Sequence, residues 1–116
     1  MKLGHIELLV RDPIAAKDFY VHVLGFDLVD VQDEKYVWMT AGSLSILLRP
    51  GKRTDAAVNY ADASSGLVLY CDDLDRTSAE LTARGLDFRG NDGSIKCLTF
   101  TDLDGHWFQL VNPNDH

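Results

Sequence analysis

His5 and Glu7 stand two residues apart in the run His5-Ile6-Glu7-Leu8-Leu9-Val10. A strand sends alternate side chains to opposite faces, so His5, Glu7 and Leu9 point one way while Ile6, Leu8 and Val10 point the other. An imidazole and a carboxylate on one face can hydrogen-bond a ligand, move a proton or offer donors to a cation. Near the other end, Trp107, Gln109 and Val111 share a face, with Phe108 and Leu110 opposite. The wholly apolar sets belong against helices. The polar and aromatic sets are left to line a pocket.

The elements that must carry these residues are marked by their ends. Asp12-Pro13 is an N-cap followed by proline at the first helical position, and Gly25 closes that helix. Ala16, Phe19, Tyr20, Val23 and Leu24 recur between them at helical spacing. Asp72-Asp73 opens a second helix, on which Leu74, Ser78 and Leu81 form a stripe before Gly85. His5–Val10 and Gly66–Cys71 precede these helices as strands. Phe26–Val31, Tyr36–Thr40 and Leu44–Leu48 follow the first; Leu86–Arg89, Ile95–Thr101 and Trp107–Val111 follow the second. The order β-α-β-β-β therefore occurs twice, in modules 1–49 and 66–116 of a single domain, joined by linker 50–65.

His5-Ile6-Glu7-Leu8 aligns with Gly66-Leu67-Val68-Leu69 at an offset of 61, and Gly42 with Gly105 at 63. The first offset makes Gly66, Val68 and Tyr70 the counterparts of His5, Glu7 and Leu9. The second makes Leu44, Ile46 and Leu48 the counterparts of Trp107, Gln109 and Val111. Four strands cannot bury a core alone, so the expected fold is α+β. Tandem βαβββ modules would form a curved mixed sheet with an open cup and helices on its convex face. The cup would be lined by Leu9, Leu44, Ile46, Leu48, Val68, Tyr70 and Trp107, with His5, Glu7 and Gln109 as polar anchors. Such a lining suits an apolar or aromatic small molecule. Blander roles stay open: His5 as a hydrogen-bonded strand residue, Glu7 as a solvated one, and Trp107 with Tyr70 as core. His106 reads as a packing or capping residue beside its turn glycine.

Eleven Lys and Arg against eighteen Asp and Glu give the 116 residues a net charge of −7. That argues against nucleic acid and anionic membrane, and favours a neutral or cationic ligand. Cys71 and Cys97 form no disulfide framework or metal-ligand spacing, and Met1–His5 leads into a strand without a signal-peptide core. A cytoplasmic protein with reduced thiols is expected. A homodimer is expected too, because pairing two short chains covers exposed sheet edges.

The run Gly4–Asp12, followed by Phe19-Tyr20 and Leu24-Gly25-Phe26, resembles the opening of the vicinal oxygen chelate superfamily. Phe100-Thr101-Asp102-Leu103-Asp104-Gly105-His106-Trp107-Phe108-Gln109-Leu110-Val111 resembles its closing signature. The superfamily includes glyoxalase I, extradiol dioxygenases, fosfomycin-resistance enzymes and bleomycin-resistance proteins. The resemblance implies metal-ligand positions at His5, Ile46, Gly66 and Gln109, where metal-dependent members carry histidine, glutamate, histidine and glutamate. Only His5 keeps its type. No cofactor is therefore expected, although a divalent metal on His5 and Gln109 remains possible. The implied function is small-molecule binding with a degraded metal site, sequestering a drug-like or aromatic ligand as in antibiotic resistance. Its alternatives are a metal-dependent lyase, transferase or dioxygenase, and a metal-free enzyme moving protons with Glu7 or His5.

Overall fold

Asp12 accepts hydrogen bonds from the backbone of Ile14 and Ala15 and so caps α1 (Pro13–Asp18). Proline at the first position costs nothing there, because that N–H has no helical partner. The helix continues as one wider turn, Phe19–Val23, in which the Leu24 N–H reaches back to the Phe19 carbonyl. Gly25, with φ of +79°, ends it where a side chain would strain. The computed structural model describes residues 1–52 and 56–115, so residues 53–55 of the expected linker lie outside the described ones. It forms two compact units, Met1–Thr54 and Asp55–His116.

In the first unit, β1 (Ile6–Val10), β2 (Asp27–Gln32), β3 (Tyr36–Ala41) and β4 (Leu44–Pro50) form one sheet. Its order is β1-β4-β3-β2, with β1 parallel to β4 and the other pairs antiparallel. Residues opposite one another across a ladder share a face. Ile6, Leu8 and Val10 thus lie with Ile46, Leu48, Val37 and Met39. Val10, Val37, Met39 and Leu48 are fully buried on this face, and α1 packs on β3 and β4.

In the second unit, Asp73 caps α2 (Leu74–Ala83), accepting from the Arg76 N–H. β5 (Leu67–Tyr70), β6 (Cys97–Thr101) and β7 (Trp107–Val111) form a sheet in the order β5-β7-β6. Phe100 and Phe108 stack at 5.2 Å, and Phe88 meets Phe100 edge-on at 5.8 Å. The fold is α+β, with open sheets of four and three strands. The expected strand Leu86–Arg89 does not form. The Leu86 N–H is spent on the Leu81 carbonyl at the end of α2, and Gly90 turns the chain with φ of +80°. What remains of the pairing is the Arg89 N–H on Thr99 and an isolated bridge between Asn91 and Leu98. β6 likewise starts at Cys97 and not Ile95, which is exposed within a turn closed by the Cys97 N–H on the Ser94 carbonyl.

Candidate functional site

The face of the first sheet away from its apolar core carries Glu7 on β1, Leu47 and Arg49 on β4, and Trp38 on β3. The register fixes this, with Leu47 opposite both Glu7 and Trp38, and Arg49 opposite Leu9. His5 stands just before β1 and bonds through Nε2 to Glu7 Oε2 at 2.8 Å. Arg49 donates from Nη1 to Glu7 Oε1 at 3.1 Å. The His5 ring meets the Trp38 indole edge-on, 4.8 Å between centroids. Trp38 donates through Nε1 to Gln32 Oε1, and Gln32 donates to Asp30. A polar network so crosses the sheet from Arg49 to Asp30, over a Leu47 floor that is 6% exposed. His5, Glu7 and Arg49 keep 34%, 38% and 44% of their side chains in solvent.

Glu7 sits below the ordinary glutamate range, first because of the hydrogen bond with His5 and then because of the one from Arg49. A carboxylate stabilised in this way is a weak base near neutral pH. Its contribution to stability is present above the ordinary glutamate range and is lost as pH falls through the lowered value. Carbon-detected NMR titration should find Glu7 low in the wild type. His5→Phe and Arg49→Gln should each raise its pKa; a variant that leaves it unchanged would overturn that partner's place in the network.

The register corrects part of the expected lining. Leu44, Ile46 and Leu48 share the face of Ile6, Leu8 and Val10 and belong to the helix-side set, not to the pocket side. Ile6 pairs with Ile46 and Leu67 with Phe108, so Ile46 answers to Phe108, 62 residues on, and not to Gln109. An offset wrong by one residue turns every side chain of a strand to the other face. Leu9 does share the face of Glu7 and is exposed. Trp38, Tyr36 and Arg49 are the residues that sequence reasoning missed. The signal was there: in Tyr36–Thr40 the aliphatic pair Val37 and Met39 alternates with Tyr36, Trp38 and Thr40.

In the second unit Val68, Tyr70, Trp107, Gln109 and Val111 do share one face. Val68 and Tyr70 are exposed on the edge strand β5, whereas Trp107 is 3% exposed. Its indole N–H donates to the Ala57 carbonyl at 3.0 Å, Tyr60 meets the ring edge-on, and the Arg89 guanidinium lies 4.8 Å from its centroid. Trp107 is thus enclosed by its own unit and presents no free ring to a ligand. The Gln109 amide donates to Asp92 at 3.3 Å. His106 bonds through Nδ1 to the buried Asp102 at 2.7 Å, a local turn contact. A groove of about 470 Å³ runs between α2 and Phe88 with Leu98. Its polar lining is Ser78 and Thr82, and Ser78 is already bonded to the Asp75 carbonyl, so it carries no evident chemistry.

Residues 2–110 match the profile of the Glyoxalase/Bleomycin resistance protein/Dioxygenase superfamily. The chain belongs to that superfamily. An uncharacterised protein of Shewanella frigidimarina is 30% identical over 127 residues, covering 96% of this chain and 93% of its own. Among solved structures of similar fold is TnmS3, an antibiotic binding protein from Streptomyces sp. CB03234. It is 27% identical with a TM-score of 0.69, covering 97% of this chain and 98% of that one. A mutant of the fosfomycin resistance protein FosX from Listeria monocytogenes, complexed with Mn(II) and 1S,2S-dihydroxypropylphosphonic acid, is 17% identical. Its TM-score is 0.73, with 96% of this chain and 91% of that one covered.

The superfamily's divalent ion does not fit the residues found here. Ile46 points to the helix side, and Leu47, which takes its place beside Glu7, also lacks a donor atom. Gly66 has no side chain, and a Cβ built there would overlap the Tyr60 ring, with Cζ at 2.7 Å. His5 Nε2 and both Glu7 oxygens are engaged, and the Arg49 guanidinium repels a cation at that carboxylate. Among the described residues, no three of His, Cys, Asp and Glu are grouped to hold a metal ion. Nor is any helix among them long and apolar enough to cross a membrane.

Proposed function

We propose that this chain is a small-molecule binding member of the superfamily that works without a metal. Its ligand would lie on the open face of the first sheet, against Trp38. The carrying observation is the network His5–Glu7–Arg49 beside a half-buried indole. It couples an apolar platform to a few fixed polar groups, the usual make-up of a small-molecule site. The likeness to the antibiotic binding protein TnmS3 supports binding over chemistry, and an antibiotic-like ligand is the corresponding reading. The lowered pKa of Glu7 also weighs against its acting as a general base.

Equilibrium dialysis against 2-naphthalenemethanol tests the proposal, with saturation expected at or below about 1 mM. Trp38→Ala should weaken binding roughly threefold to tenfold, from an aromatic contact of about 0.5–1.5 kcal/mol. Non-saturating uptake, or uptake indifferent to Trp38→Ala, would remove it. The proposal extends to a cytoplasmic homodimer, since β1 and β2 in one sheet and β5 and β6 in the other are edge strands. Sedimentation at micromolar concentration should give twice the chain mass. A one-chain mass would refute the dimer alone.

A further inference from the structure

The chemical class of the ligand is written in the hydrogen-bonding capacity this face has left over. Both Glu7 oxygens already have partners: His5 at 2.8 Å and Arg49 at 3.1 Å. Arg49 bonds to Glu7 through Nη1, and its other N–H groups have no partner among the described residues. A guanidinium offers five donors in a fixed plane and no acceptor. Arg49 is also held in place. The Glu7 carboxylate anchors it, His5 anchors Glu7, and the His5 ring rests against Trp38. Leu47, which the register places between Glu7 and Trp38, is covered, so the apolar surface left beside these donors is the half-buried Trp38 indole.

We infer that the ligand is a planar aromatic molecule whose carbonyl oxygen accepts from Arg49 while its ring lies against the half-buried Trp38. The inference rests on the binding reading above and narrows it. An acceptor oxygen meets Arg49 donors that otherwise face water, and it leaves both Glu7 pairs intact. Full negative charge on the ligand is not required. Glu7 balances Arg49, and Asp30 lies on the same face beyond Trp38, so a neutral acceptor avoids the repulsion an anion would meet. A hydrogen bond from a charged donor is among the stronger ones, and a shape-matched hydrocarbon cannot form it.

Two probes of nearly equal shape isolate this oxygen: 2-acetylnaphthalene, with a carbonyl, and 2-isopropenylnaphthalene, with a methylene in its place. Dialysis of the full chain should show the ketone binding about tenfold tighter than the alkene. Arg49→Met should reduce that ratio to about twofold or less, with the larger loss falling on the ketone. Equal affinities in the wild type, or a preference that survives Arg49→Met, would overturn the carbonyl assignment and leave the binding site standing. Failure of both naphthalenes to saturate would overturn the binding reading and this inference together. Circular dichroism of Arg49→Met should match the wild type, because the pair it breaks is exposed; a lost fold would be resolved by repeating the ratio with Arg49→Lys, expected to fall between the two.

Discussion

Asp102→Ala should be among the most damaging single substitutions in the chain, lowering stability by roughly 3 kcal/mol. The carboxylate is 5% exposed and is the acceptor around which its turn is built. Oδ1 takes the N–H groups of Asp104 at 2.9 Å and His106 at 2.8 Å, and Oδ2 takes the His106 ring. Alanine leaves these groups facing a cavity with no acceptor, at a cost of about 1–3 kcal/mol for each buried group that stays unsatisfied. The costs do not add in full, because the turn can relax toward water. Relative to the total stability of a small domain, about 5–15 kcal/mol, the loss is large. Asp102→Asn keeps one acceptor oxygen for the backbone pair and should retain about half of the difference. Urea denaturation checks both. A midpoint for Asp102→Ala near the wild type would show that the turn does not depend on its carboxylate.

Gly66→Ala is expected to destabilise by about 1–2 kcal/mol, although alanine normally gains stability over a glycine that, like Gly66, does not need a positive φ. The reason is Tyr60. A Cβ on Gly66 would overlap the Tyr60 ring, which sits edge-on to Trp107. The tyrosine is only half-buried and can swing out, so the cost is the loss of its packing and not a rigid collision. Moving it uncovers Trp107, and the indole emission should shift to the red. With Tyr60→Ala already in place, the same Gly66→Ala change should be neutral or stabilising by about 0.5–1 kcal/mol. A cost that persists without the tyrosine ring would mean that Gly66 is needed for something other than Tyr60.

Local signals were legible because each depends on one or two residues. Asp12 with Pro13, Asp73, Gly25 and Gly85 mark helix ends whose donors and torsions have few other solutions. The order β-α-β-β-β of the first unit followed from them; the second unit lacks the strand expected at Leu86–Arg89. Leu86–Arg89 misled because its aliphatic character serves burial of Leu86 against the helix end, while its first N–H is already committed. The face of β4 misled for a different reason. Both of its faces are apolar around Ile46, Leu47 and Leu48, so alternation does not fix its parity, and the spacing of the turn glycines Gly42 and Gly105 differs by one from that of the paired strands. The shared face of His5 and Glu7 followed from strand period alone. Arg49 and Trp38 did not, because their proximity to Glu7 depends on strand order, which no local pattern contains.

The exposed strand β2 carries a consequence for solubility. Every residue from Asp27 to Gln32 is solvent-accessible, including Leu28, Val29 and Val31, on a strand with one open side. Such a strand is a template for cross-β growth unless something interrupts it. Here the interruption is twofold: a bulge between Leu28 and Asp30 breaks the spacing of free backbone groups, and Asp27 with Asp30 sets like charges against any identical strand arriving alongside. The two aspartates thus act as gatekeepers for the three aliphatics between and beside them. Neutralising both would leave the folded core untouched and turn this margin of the sheet into a seed for fibrils.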